Sequence, residues 1–187
     1  MTSLYMIQQG RAPGVFPHDA PLGTEQLHWI GGRPGVDLGD RWIFTLSRGG
    51  EPLWQAAVLF DAGGPFVESL VWEKAEVVLL GGGATFFALD LVRGVERLHR
   101  QVDMYFGHFE LDPEWNSLYV LGGENIQKFD PGLNWMWTSE RIAVDGIVAT
   151  GFSGQHLHVS AEMDPPGGWM PVTLDVLTGQ RVTGTAP

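Results

Sequence analysis

At 187 residues the chain is long enough for one domain with a substantial core and short for two. Its 44 % hydrophobic and 18 % charged residues exclude a disordered composition, and a formal net charge of −11 repels phosphate backbones, so no nucleic-acid partner is expected. The lack of cysteine excludes disulfides, Cys-ligated zinc, iron–sulfur clusters and thiol nucleophiles, and fits a reducing compartment.

The N-terminal MTSLYMIQQGRAPG has no basic start followed by an apolar core, as a signal peptide would. No run of about eighteen apolar residues occurs, so no membrane contact is expected and the cytoplasm is the expected compartment. Residues 1–40 are rich in Gly and Pro and read as irregular, with little alternation beyond 26–30; the segment 1–40 could supply a closing strand or wrap an edge. Long capped amphipathic helices are missing, whereas 26 glycines, 12 prolines and 8 tryptophans fit short strands separated by turns.

A repeat then emerges. Segments 76–102 (EVVLLGGGATFFALDLVRGVERLHRQV), 116–142 (NSLYVLGGENIQKFDPGLNWMWTSERI) and 155–184 (QHLHVSAEMDPPGGWMPVTLDVLTGQRVTG) each read strand, Gly-rich turn, strand ending in Asp, turn with Gly, strand. The anchoring Asp90, Asp130 and Asp175 are 40 and 45 residues apart. A weaker copy at 41–58 (RWIFTLSRGGEPLWQAAV) aligns its Arg48-Gly49 with the turn ending at Gly94. A further strand precedes each of the three strong copies, at 65–72, 105–111 and 145–150. The segment 89–102 has helix-like spacing of Leu91, Val95 and Leu98, but the comparison makes it two strands joined at Arg93-Gly94.

A period of about 40–45 residues with four short strands is the size of one propeller blade. The expected fold is all-β, a small β-propeller-like repeat domain of about four blades. It forms one domain over 1–187: the irregular segment 1–40, then repeats at about 41–65, 66–103, 104–144 and 145–187.

FFALDLVRG and VTLDVLTGQR resemble the ALD-x-x-T-G turn of PQQ-like, quinoprotein-type repeat propellers, and DPEWNSLYVLGGENIQKFD is similar to the strand pair of the same repeat and of YVTN-type relatives. The resemblance covers roughly 66–184. It implies that Asp90 with Gly94, and Asp175 with Gly179, shape the tight turn between the third and fourth strands of a blade; Asp130-Pro131-Gly132 departs from the pattern but remains turn chemistry. Quinoprotein-type enzymes resemble rings of eight blades, and this chain has room for about four, so PQQ is not inferred and no cofactor is expected. A repeat scaffold serves binding modules and enzymes alike.

The loop DPPGGW at 164–169 extends the third repeat by five residues relative to its sisters. Two prolines stiffen it, two glycines reverse the chain, and Trp169 can fold back over the sheet; it reads as a structured hairpin that could also present a residue to a partner. Trp115 is the other loop tryptophan beside Asp-Pro. The candidate binding surface is therefore Asp112, Trp115, Glu162, Asp164 and Trp169. Trp135 and Trp137, two apart on one presumed strand face, read as gap fillers between sheets.

The remaining constellations read as structural. His156, His158 and Glu162 share one strand face and could contribute to a metal site, but no further strong ligand can be placed, so a polar strand face is preferred and no metal is expected. His108 and Glu110 repeat that pattern before Asp112-Pro113, where turn chemistry is preferred over acid–base work. Gly81-Gly82-Gly83 lacks the Gly-Lys-Ser/Thr of a phosphate loop, and GFSG at 151–154 lacks the spacing of a nucleophile elbow. The basic cluster Arg93, Arg97, His99 and Arg100 reads as a solvated face.

With no catalytic motif, the chain is read as a non-enzymatic protein-binding module engaging another protein, by analogy with immunity or accessory proteins. The alternative is a carbohydrate-binding or glycan-hydrolysing protein using the loop tryptophans and carboxylates. None of these patterns encodes an oligomeric state.

Overall fold

The computed structural model describes residues 4–11, 27–31, 39–61, 66–164 and 167–182. They form four small sheets in succession. The first contains Tyr5–Arg11 (β1), Leu27–Gly31 (β2), Gly39–Arg48 (β3) and Glu51–Asp61 (β4) in the order β1-β3-β4-β2, with β2 parallel to β4. The second contains Val67–Trp72 (β5), Val77–Gly82 (β6), Thr85–Asp90 (β7) and Glu96–Gln101 (β8) in chain order. The third contains Phe106–Leu111 (β9), Leu118–Gly122 (β10), Ile126–Phe129 (β11) and Trp135–Thr138 (β12), also in chain order. The fourth contains Ile147–Ser153 (β13), His156–Met163 (β14) and Gly168–Asp175 (β15), extended by a single bridge from Leu174 to Arg181. This is an all-β, propeller-like fold. The only helical element among the described residues is one 3-10 turn, Glu73–Ala75, and no helix is long and apolar enough to cross a membrane.

Two strands lie within 1–40, the segment read as irregular from its composition. β2 falls on the alternating stretch near 26–30 and covers the outer edge of the first sheet by parallel pairing. The 41–58 copy also sits differently from its sequence alignment. Its Gly49-Gly50 turn joins the second and third places of the first sheet, whereas Arg93-Gly94 joins the third and fourth of the second. A short Gly-containing turn looks the same in any hairpin, so the alignment slipped by one strand.

The side chains alternate into two different cores. Val78 and Leu80 of β6 pack with Phe44, Trp54, Val58 and Phe60 of the first sheet. Val77 and Leu79 pack with Phe106, Phe109, Leu118 and Val120 of the third. Tyr119 and Leu121, on the opposite face of β10, meet Leu157, Val159 and Leu174 of the fourth. Runs such as VVLL and LYVL are therefore apolar throughout because both faces are buried. Among the described residues the buried clusters lie between consecutive sheets, and none joins the fourth sheet to the first.

Tryptophan indoles tie each sheet to the next. Trp54 Nε1 donates to Leu91 O (3.1 Å), Trp72 Nε1 to Trp115 O (2.9 Å) and Trp137 Nε1 to Val176 O (3.1 Å). Leu91 and Val176 each follow a turn aspartate. In those turns Asp90 Oδ1 accepts from the Val92 and Arg93 amides, Asp175 Oδ1 accepts from the Leu177 and Thr178 amides, and Gly94 and Gly179 adopt φ of +67° and +72°. Hydrogen bonds from the Arg93 side chain, and then from its amide, hold the Asp90 carboxyl down at about 2. Asp130 performs the same service for Asn134, with Leu133 in the left-handed position at φ +64°.

The triple glycine is more than a turn. Gly81 and Gly82 lie within β6, and a Cβ on either would stand 2.3 Å from the Phe106 ring or 2.8 Å from the Phe60 ring. The neighbouring sheets thus press aromatic rings onto both faces of one strand end. Gly81→Ala is expected to cost about 1–3 kcal/mol by overpacking, read as a lower urea midpoint with unchanged slope. Trp54→Phe keeps an aromatic ring but removes the indole N–H and orphans the Leu91 carbonyl, and the same titration is expected to show a loss of about 1–2 kcal/mol.

Candidate functional site

The inner strands β1, β5, β9 and β13 run side by side across the four sheets. Their polar side chains face one another. Ser69 Oγ donates to Gln9 Oε1 at 3.0 Å, joining the first and second sheets. Between the second and third, His108 Nδ1 lies 2.7 Å from Glu68 Oε2, which also accepts the Phe109 amide at 2.9 Å. The hydrogen bond to Glu68 raises the His108 pKa against the opposing effect of burial, and burial raises that of Glu110 nearby. Glu68, His108 and Glu110 thus lie close enough to influence one another's charge. The sequence marks His108 and Glu110 by their spacing of two; Glu68 carries no local signal, because its partner is 40 residues away.

At the leading ends of the same strands the surface becomes aromatic. Phe66 packs on Tyr105 with ring centroids 6.3 Å apart. Tyr105 Oη donates to Asp145 O at 2.6 Å, and burial, with Asp145 and Glu162, pushes its pKa up to about 12. Trp169 lies over Gly146, where a Cβ would be 3.1 Å from the indole and 3.5 Å from Glu162 Oε2. A band thus runs Phe66, Tyr105, Gly146, Trp169 across the second, third and fourth sheets. Phe66 is 51 % exposed, Met104 54 % and Trp169 50 %. Asp103, Asp145, Glu162 and Asp164 edge the band with negative charge.

The structure separates the candidate surface residues into two groups. Glu162 and Trp169 pair across the β14–β15 hairpin, with Asp164 at its exposed tip, where the Gly167 amide donates to Asp164 O. Pro165 and Pro166 of this loop lie outside the described residues. Asp112 and Trp115 occupy the β9–β10 loop, beyond the opposite end of β9 from Tyr105. Six strand residues intervene, which is roughly 20 Å. That loop is a structural joint: Asp112 Oδ1 accepts the Asn116 amide, Trp115 sits at φ +59°, and its carbonyl takes the Trp72 indole. Lys74 hydrogen-bonds the Asn116 side chain across the same joint.

Both ring nitrogens of His158 have hydroxyl partners, Ser153 Oγ at 2.6 Å and Thr173 Oγ1 at 3.1 Å. The His156 and His158 rings are 6.4 Å apart, and among the described residues no three His, Asp or Glu side chains converge as metal ligands would. Ser153 and His158 form a hydroxyl–imidazole pair, but the third member is a threonine. An imidazolium formed there would lack the carboxylate that stabilises it in a hydrolytic triad.

Trp135 and Trp137, expected on one face, lie on opposite faces. The register of β11 with β12 shifts between Lys128 and Phe129, so Trp135 pairs with Phe129 and Trp137 with Lys128. The bulge inserts one residue and turns Trp135 outward, while Trp137 is buried against the fourth sheet.

No protein-family model and no curated protein matches the chain. Solved structures do. Hydrazine synthase of Kuenenia stuttgartiensis matches at 12 % identity with a TM-score of 0.56, over 89 % of this chain and 51 % of that one. The computationally designed Ika8 protein matches at 14 % with a TM-score of 0.51, over 78 % and 45 %. BamB from Moraxella catarrhalis matches at 18 % with a TM-score of 0.48, over 76 % and 44 %. The likeness is one of fold. The chain spans about half the length of these three structures.

The Glu68–His108 pair sets a pH dependence. Because the folded-state pKa of His108 is raised, its contribution to stability is complete below the ordinary value of 6.5 and is lost as pH rises through the raised value. Glu68→Gln is expected to bring the His108 pKa down toward 6.5, as measured by NMR titration of the ring protons, and to flatten the stability profile above that pH.

Proposed function

We propose that this chain is a protein-binding module and that its contact surface is the band Phe66, Met104, Tyr105 and Trp169 with its acidic rim. The single observation that carries this reading is the continuity of the band: contacts or backbone bonds link Phe66 to Tyr105, Tyr105 to Asp145, and Gly146 to Trp169. Half-exposed aromatic and Met side chains are enriched at protein interfaces, and a polar rim excludes water around them. The rim is acidic, and the whole chain carries −11, so the partner fitting it presents an apolar anchor among Lys or Arg. Within propeller-like folds we read the Asp90–Gly94 and Asp175–Gly179 turns as marks of a PQQ-like repeat used for binding. The glycan reading draws less support, because Asp112 and Trp115 lie a strand length from Glu162, Asp164 and Trp169.

Affinity capture from host lysate with the wild-type chain, compared with Trp169→Ala and Phe66→Ala, tests the proposal. A stoichiometric protein is expected with the wild type, and each variant is expected to weaken it by about tenfold or more, or about 1.4 kcal/mol. Equal capture by all three would place the contact elsewhere.

A further inference from the structure

A second surface lies at the opposite, outer edge of the array, where β8 of the second sheet faces β11 and β12 of the third. An open cleft of about 590 Å³ is lined there by His99, Arg100, Gln101, Gln127, Trp135 and Thr138. Its floor is a built contact between sheets. Gln127 is buried and donates from Nε2 to Gln101 O at 2.9 Å, and the Arg100 guanidinium sits 5.8 Å from the centre of the Phe129 ring. The bulge in β12 turns Trp135 outward on the same side as Phe129, so Arg100 and Trp135 flank one groove.

The basic cluster seen in the sequence divides here into separate roles. Arg93 is bound to Asp90 at 3.0 Å, and Arg97 donates to Ala75 O. The His99 ring stacks on Phe87 at 4.5 Å, on the other face of β8. Arg100 remains: among the described residues no carboxylate pairs with it, in a chain with twice as many acidic as basic residues. An arginine held over an aromatic floor with its fork uncommitted is a receptor for a carboxylate or phosphate. Trp135 is half-exposed, and its indole N–H is already satisfied by Thr138 Oγ1 at 3.0 Å. Its ring face is therefore free for stacking, and the Thr138 hydroxyl, accepting from the indole, keeps its own proton to donate. The chain's overall negative charge does not veto an anion here, because fields from distant carboxylates are screened within about 8–10 Å at physiological salt.

We infer that this cleft binds a small anion carried on a ring with a face that can stack, the ring laid on Trp135 and the anionic group held by Arg100 and Thr138. Two sources have this chemistry: the carboxylate of an acidic sugar and the phosphate of a nucleotide. The site is separate from the inner-strand band and stands or falls independently of the protein-binding reading.

The test is an NMR titration of the full ¹⁵N-labelled chain, following the Trp135 indole signal assigned with Trp135→Leu. The probes are a glucuronate-containing disaccharide and adenosine 5′-monophosphate, each beside its neutral counterpart, cellobiose and adenosine. One acidic probe is expected to shift the Trp135 signal saturably, with the neutral counterpart weaker by roughly tenfold or more, the worth of a charge-assisted hydrogen bond. Which acid binds identifies the source. Arg100→Gln, whose spectrum reports that it folds, is expected to reduce the acid to the level of the neutral compound. Absence of saturable shifts with either acid, or an unchanged titration in Arg100→Gln, would overturn the assignment.

Discussion

The arrangement depends on how one small sheet is fixed to the next. A four-stranded sheet of six-residue strands has too little core of its own, so each blade must bury both faces against neighbours or present a polar one. Apolar packing supplies the attraction, but it does not fix register. The indoles of Trp54, Trp72 and Trp137 do, because each is buried or nearly so and its single N–H must find a carbonyl on the adjoining blade. Two of those carbonyls directly follow the turn aspartates, so the local turn and the long-range joint are one device. Gly179 completes it: a Cβ there would stand 2.6 Å from the Trp137 ring.

The candidate surfaces inherit this geometry. The inner strands bring Glu68, His108 and Glu110 together only because β5 and β9 are adjacent, and Tyr105 reaches the backbone of Asp145 only because β9 and β13 are. The charged groups thus report on sheet-to-sheet contact, and the aromatic band spans sheets that share no hydrogen-bonded ladder. The outer cleft is the complementary case, where a bulge in a short edge strand converts a residue with a core-like spacing into a surface one.

Much of the fold was legible in the sequence because it is local. Alternation, the Asp-x-x-x-Gly turns and a period near 40 residues report strands and hairpins directly, and doubly buried runs such as VVLL mark central strands. What was hidden is non-local. The parallel pairing of β2 with β4 leaves no trace in either strand, and the role of Gly81 and Gly82 depends on rings 22 or more residues away. The same limit applies to the site. Trp169, Glu162 and Asp164 could be read together because one hairpin holds them. Asp112 and Trp115 resemble them in composition, yet they belong to a loop at the other end of the strands. A bulge cannot be read from alternation, so Trp135 and Trp137 looked equivalent when they are not.

The fourth sheet carries a consequence for how copies of this chain behave in a crowded solution. Among the described residues, only the Leu174–Arg181 bridge continues the ladder beyond β15, and the flanking bonds from Val182 to Thr173 O and from Asp175 to Gln180 O show that odd-numbered residues of β15 turn their main chain toward that side. Pro171 occupies such a position and has no N–H to offer. A foreign strand laid along this edge would meet a missing donor beside the exposed Trp169 and Met170, where adhesion would otherwise be strongest. In the proposed binding reading, the chain displays Trp169 while Pro171 discourages the edge-to-edge stacking that would turn a contact surface into the seed of a fibre.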